Sequence, residues 1–388
     1  MKIIEVTTEV HSKQFIEMAP TLYTQNANYI RPLNKDVADV FDPKKNKAFR
    51  NGTAKRWLLQ SNDEKMIGRI AAFVNKKYKS KGDDVPVGGI GFFECINNQP
   101  AANLLLDTAK HWLSENGMQA MDGPINFGER DRWWGMVTYG FQEPLYCMNY
   151  NPPYYVTLFE TYGFKTFFEQ ICFFLDPKAP INQKFIERSK AFEANPRFTF
   201  TTIKKNNLAK YAADFCEVYN KAWAGHGGLK QMSKEQAHLL FKKMAPVMDE
   251  NIIYFVYHQN QPIAFFLNLP DLNQWFKKLN GKWGLLQKLY FLWLKQFSPN
   301  KKFTGLVFGV APEWQGKGVD AYMITQSHYI IASNKVPYTE YEMQWIGDFN
   351  PKMINIAQGL GDVTVSRKLS TMRYLFDQNK IFQRHPIL

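Results

Sequence analysis

No run of about 18 apolar residues, the length a helix needs to cross a bilayer, occurs in the 388-residue chain. The start, MKIIEVTTEV, has neither the apolar h-region nor the small-residue cleavage site of a secretory signal. Cysteine is sparse: Cys95, Cys147, Cys172 and Cys216 form no CxxC pair and no metal-type spacing with histidine. These absences predict a cytoplasmic chain with reduced, buried thiols and no bound metal. Acid is in short supply too. Asp and Glu total 35 against 48 Lys and Arg, a formal charge of +13. Such a balance is silent on fold. It bears on partners, and it suits nucleic acid, an anionic membrane surface or an anionic cofactor such as coenzyme A.

Apolar and aromatic residues are plentiful, at 45% and 15%, and no stretch has the composition of a disordered segment. The length suggests two domains. An order of elements that occurs twice places them at 1–190 and 191–388. In the first, KRWLLQS and KMIGRIAAFVN read as paired strands, followed by VGGIGFFEC. QPAANLLLDTAKHWLSENG reads as a helix with Ala102, Leu105, Ala109 and Trp112 on one face and Gly117 at its end. YYVTLFETYGF is a short helix and TFFEQICFFL a strand. In the second, RFTFTTI is a strand and NLAKYAADFCEVYNKAW a helix. NIIYFVYHQNQPIAFFLNL is a hairpin turning at Asn260 and Gln261. The strand FTGLVFGV, a helix from Gln315 to Asn334, the strand YTEYEMQWI, the helix NPKMINIAQGLG and the strand TVSRKLSTMRYLF follow. The polar, Pro-bounded DPKAPINQKFIERSKAFEANP joins the halves.

The stretch VAPEWQGKGVDAYMI puts Gln315, Gly316, Lys317 and Gly318 where an apolar strand stops and a helix begins. A helix N-terminus carries unpaired N–H groups and partial positive charge, and phosphates bind there. Glycines remove side chains that would keep a diphosphate off the backbone. The Walker pattern is not met, because Gly318 follows Lys317 and the leading glycine is missing; a GxGxxG is absent as well.

Val310, Pro312, Gln315 and Gly318 resemble the acyl-CoA-binding motif of the GCN5-related N-acetyltransferase (GNAT) superfamily. That resemblance implies an α/β (α+β) architecture of two GNAT-like domains, each a mixed, mostly antiparallel sheet flanked by helices. It implies a turn whose amides, from Val310 through Gln315, Gly316, Lys317, Gly318, Val319 and Asp320, hold the CoA diphosphate. Asp320 stands where the family usually has Gly or Ala. The corresponding turn of the first half, ECINNQPAANLLL, has no such motif and implies a lost cradle. A resemblance over nearly the whole chain, carried by NYIRPL, IGRIAAFVN, GFFECINN, DGPINF, NPPYYVTLFETYGF and YEMQWIGDFNPKM, is to the YghO-like group that includes the bacterial ceramide synthases. It implies transfer of a fatty acyl group from an acyl-CoA, or from acyl carrier protein, to the amine of a sphingoid-base-like lipid. The runner-up readings are an aminoacyl-tRNA-dependent tandem GNAT enzyme and a non-catalytic acyl-CoA or membrane-binding protein. The absence of a basic stripe interleaved with aromatics argues against nucleic acid.

Aminolysis of a thioester needs a neutral amine, and with a pKa near 10 only about one alkylamine in a thousand is neutral at pH 7. A general base helps. Glu342, on the strand beside FTGLVFGV, is the first candidate and Glu94, at the end of GFFE, the second. Asn350 begins a helix with Pro351 at its first position, an N-cap signal. The resemblance implies a cofactor-facing Asn here and a tyrosine acid seven residues on; that position is Ala357, which leaves Tyr322, Tyr338 or Tyr374 as the proton donor. His226, between glycines, is a further catalytic candidate, and GERDRWWG (128–135) a lid or head-group clamp. Residues 271–302 hold seven lysines and one acid among Trp275, Phe276, Trp283, Tyr290, Phe291, Trp293 and Phe297. That pattern suits the headgroup boundary of an anionic bilayer or a core helix with snorkelling lysines.

Overall fold

The computed structural model describes residues 1–223, 231–333 and 335–387; His226 and the helix end expected at Asn334 lie outside them. The first half runs β1 (Lys2–Glu5), α1 (Glu9–Leu22), α2 (Asn34–Val40), β2 (Gly52–Gln60), β3 (Met66–Asn75), β4 (Val87–Cys95), α3 (Gln99–Glu115), β5 (Ala120–Gly123), β6 (Met136–Tyr139), α4 (Tyr154–Tyr162) and β7 (Lys165–Leu175). The second runs α5 (Gln183–Glu193), β8 (Phe198–Thr202), α6 (Leu208–Trp223), α7 (Lys234–Met244), β9 (Ile253–His258), β10 (Gln261–Pro270), α8 (Asn273–Phe276), α9 (Leu285–Phe297), β11 (Lys302–Val310), α10 (Val319–Ala332), β12 (Glu340–Met343), β13 (Ile346–Gly347), α11 (Pro351–Gln358) and β14 (Thr364–Leu375).

Helix α3 forms for the reasons its sequence gives. The Asn98 side chain accepts from the Ala101 amide at 2.9 Å, and Pro100 needs no amide in the first turn. Ala102, Leu105, Ala109 and Trp112 are buried on one face, each leucine of such a face contributing about 2 kcal/mol. The β9–β10 hairpin turns at Gln259 and Asn260, both at positive φ, one residue earlier than expected. The joining segment is not merely a linker. It contains α5, whose Phe192 stacks on Tyr322 of α10 at 5.6 Å.

All strands belong to one mostly antiparallel sheet, ordered β1-β2-β3-β4-β5-β14-β7-β12-β11-β10-β9-β8. Two strands cross between the halves. β14, last in the chain, inserts between β5 and β7, while β7 pairs with both β14 and β12. Each half is thus completed by a strand of the other.

Both halves carry one parallel pair that opens. β4 pairs with β5 only from Val87 to Gly89, and β11 with β12 only from Lys302 to Gly305. Each opening lies beside a register shift, at Arg69/Ala71 in the first half and at Leu267/Asn268 in the second. In the first half the gap is closed by chain: the Ile125 amide donates to the Ile90 carbonyl at 2.7 Å. In the second half it stays open.

Candidate active site

The turn after β11 is built as its glycines require. Gly316 and Gly318 have φ of +71° and +96°, and Gly318 is the N-cap of α10 with no side chain capping it. The first helical bond runs from the Tyr322 amide to the Gly318 carbonyl. The amides of Gly316, Gly318, Val319, Asp320 and Ala321 therefore donate to no acceptor among the described residues. Gln315 braces the turn, its Nε2 donating to the Val310 carbonyl at 3.0 Å, and the Lys317 ammonium lies 5.4 Å from the Trp314 ring centre. Asp320 adds an anion to the first turn, but Arg188 of α5 faces it at 3.7 Å. No pattern in the sequence pointed to Arg188. The matching helix of the first half, α3, has its N-terminus capped by Asn98, which leaves that turn a poor anion cradle.

Between the later turns of α10, at Ile324, Ser327, His328 and Ile331, and α11 lies a cavity of about 130 Å³. Its wall is almost wholly apolar: Phe266, Phe303, Phe308, Ile324, Met343 and Met353 are representative, with Asp176 and Asp362 exposed at its rim. From Leu306 to Val310, β11 has no partner strand on its β12 side, so its edge faces the opening. Two tyrosines, Tyr254 and Tyr341, are among the lining residues. Tyr341 passes so close to β11 that a Cβ on Gly305 would stand 2.2 Å from its oxygen. Tyr254 is fully buried and its hydroxyl has no hydrogen-bond partner. Burial, with smaller contributions from Asp249 and Tyr341, pushes that phenol well above its usual range. Such a group is an unmet buried donor. Removing it as Tyr254→Phe is expected to raise the free energy of unfolding by about 1 kcal/mol, since no bond is lost. A fall in the urea midpoint would show the hydroxyl is already bonded.

None of the three nominated catalytic side chains lines this cavity. Glu342 is fully buried on the opposite face of β12 from Tyr341 and Met343. Its carboxylate accepts from Arg367 Nε at 2.7 Å and Nη2 at 3.3 Å, from Ser366 Oγ at 2.8 Å and from Lys302 Nζ at 2.5 Å. A carboxylate has about four lone-pair sites, and all are occupied. Burial pushes the Glu342 carboxyl up, but the Arg367 and Lys302 charges outweigh it and hold it below the ordinary value. Glu94 lines a second, more polar cavity of about 60 Å³ in the first half. There Tyr155 donates to it at 2.9 Å, Arg69 at 3.2 Å, and Tyr23 as well. Burial raises its carboxyl, and these partners pull it only part of the way back. Asn350 caps α11, accepting from the Met353 amide at 3.3 Å. Ala357 is part of the apolar wall.

The alternative tyrosines are placed elsewhere. Tyr322 packs on Phe192, Tyr338 donates to Asp249 at 2.8 Å, and Tyr374 sits against Tyr162 and Phe164 of the first half. Tyr254 and Tyr341 were missed; the alternation of β9 and β12 was the only signal for them. In the 128–135 loop, Trp133 and Trp134 are buried and Arg130 stacks over Trp134, so the loop is packed. All four cysteines are buried free thiols. Among the described residues no group of His, Cys, Asp or Glu is arranged to hold a metal ion, and no helix is long and apolar enough to cross a membrane.

No protein-family model matches the chain. It is 22% identical over 369 residues to a bacterial ceramide synthase of Caulobacter vibrioides, covering 93% of this chain and 94% of that one. It is 21% identical over 359 residues to protein YghO of Escherichia coli, covering 90% and 89%. Among solved structures, a tandem GNAT protein from the clavulanic acid biosynthesis pathway matches at a TM-score of 0.55 and 9% identity, covering 98% of this chain and 99% of that one. The GCN5-related glucosamine N-acetyltransferase region of a fungal GH3 β-N-acetylglucosaminidase matches at 0.55 and 10%, covering 96% and 38%. The fold is therefore that of a tandem GNAT protein, and along nearly its whole length the chain is similar to bacterial ceramide synthase and YghO.

Proposed function

We propose that this chain is an acyl-CoA-dependent N-acyltransferase that moves a fatty acyl group onto the amine of a lipid with a sphingoid-base-like head. One observation carries the reading: the amides of Gly316 and of Gly318 to Ala321, unpaired among the described residues, begin the helix whose later turns wall an apolar cavity, and beside that cavity β11 keeps an edge with no partner strand from Leu306 on. The amides, with Arg188 and Lys317, would take the CoA diphosphate. The unpaired edge of β11 would take the pantetheine arm, and the cavity the acyl chain. The name of the Caulobacter relative supports a sphingoid-type amine.

In the reaction the amine nitrogen attacks the thioester carbonyl carbon, the C–S bond breaks, and the proton lost by nitrogen ends on the CoA thiol. Being mostly protonated at pH 7 handicaps the amine by roughly 4 kcal/mol. An apolar site lessens that handicap by disfavouring the ammonium. Tyr254 and Tyr341, both in the cavity wall, would be the donors to the departing sulfur or the carbonyl oxygen.

The test is thiol release from palmitoyl-CoA, palmitoyl-acyl carrier protein or acetyl-CoA, each with sphinganine as acceptor, beside direct binding of tRNA. Release from palmitoyl-CoA should exceed that from acetyl-CoA at least about tenfold, because apolar burial grows with each methylene. Release from no donor, or binding of tRNA alone, would overturn the reading.

A further inference from the structure

Helix α9 has two faces that both read as interior. Phe291 and Leu294 are buried against Trp275, Phe276 and Leu33 of the first half, which fixes the helix to the body. On the other side Leu285, Leu286, Leu289, Leu292, Tyr290, Trp293 and Phe297 are 42–74% exposed. At 100° per residue these seven fill an arc of roughly 160° broken only by Gln296. Monomers rarely leave so large a contiguous apolar face to water. The 13-residue helix is also far too short to span a bilayer.

The flanks of the arc are cationic. Lys288 borders it, Lys282 precedes the helix, and Lys278 and Lys301 lie in the adjoining turns. All four are exposed and pair with no acid among the described residues. The single acid of the segment, Asp271, is buried and accepts from the Tyr146 amide, so it offsets none of this charge at the surface. A protein partner of ordinary composition gives no reason for uncompensated lysines around an apolar centre, whereas an anionic lipid surface does.

We propose that α9 docks the protein on an anionic bilayer, lying in the plane of the headgroups with Leu289, Leu292 and Trp293 inserted and the lysines on lipid phosphates. This deepens the proposed function, since it supplies the route by which a lipid amine reaches the molecule, but docking itself requires no acyl-CoA. Flotation with vesicles tests it, using phosphatidylcholine alone and a phosphatidylcholine–phosphatidylglycerol mixture. Binding to the mixture is expected, weakened by salt. Leu289→Glu/Trp293→Glu should abolish it, and Lys282→Glu/Lys288→Glu should weaken it about tenfold. These side chains touch no core, so melting temperature and thiol release with a short dispersed amine should stay at the parent level. Failure of the parent to float, or undiminished flotation of the Glu variants, overturns the proposal. So does a dimer in sedimentation that the Glu variants dissolve, which would make a second copy the occupant. Loss of thiol release with intact flotation sinks only the catalytic reading.

Discussion

Gly318→Trp is expected to weaken palmitoyl-CoA binding at least about 100-fold in titration calorimetry, a loss of about 2.7 kcal/mol. Two effects converge. At φ +96° any residue with a Cβ is strained, by roughly 1–3 kcal/mol, and the turn relieves that strain by turning its amides. A Cβ would also meet Phe192 at 3.1 Å, so the indole is pushed toward the open side where the amides point. The fold should survive, because Val319, Tyr322 and Met323 hold α10 in a buried cluster with Tyr254, Val256 and Ile263 as well as Phe192. A melting temperature within about 8 °C of the parent is the expected control. If affinity is unchanged, the diphosphate does not sit on this turn and the catalytic proposal goes with it.

Arg367→Met is expected to cost about 3–5 kcal/mol of stability, read from urea denaturation. The guanidinium is 1% exposed and joins the Glu342 carboxylate to the Glu143 carbonyl of the other half. Without it a fully buried carboxylate keeps only Lys302 and Ser366. Glu342→Leu/Arg367→Met should regain much of the loss, because the remaining charge, Lys302, is 12% exposed and can reach water. The pH dependence has a definite sign. Glu342 titrates below its ordinary value in the folded chain, so its contribution is complete above the unfolded pKa of about 4.3 and fades as pH falls through the lower folded value. The gap between parent and Arg367→Met should therefore narrow below about pH 4. Glu342→Gln should likewise act on stability. A variant that loses thiol release while its urea midpoint stays put would restore Glu342 as the base.

Of the two readings of residues 271–302, interfacial helix and core helix, the structure shows one buried side of α9, at Phe291 and Leu294, and one exposed apolar side. Periodicity shows that apolar residues lie all round α9, and only the position of Leu33 and Trp275 decides which of them are covered. Glu342 is a similar case. Alternation along YTEYEMQWI correctly separates it from Tyr341 and Met343, yet the sequence is silent on which face borders a cavity and which meets Arg367, 25 residues away.

By itself the sequence determined what is local: the capped and one-sided helix α3, the hairpin, the strand–turn–helix around Gly316 and Gly318, and hence a GNAT-like order of elements in each half. These follow from side-chain period, capping and the φ a glycine alone adopts without strain. Tertiary structure decided that β7 and β14 are exchanged, that Ile125 bonds to β4 where the first half's pair opens while β11 keeps an unpaired edge, and that Tyr254 joins Met353 and Ala357 of α11 in the cavity wall. Strand partners and the filling of lone pairs are set by residues far apart in the chain, whose encounter no local pattern encodes.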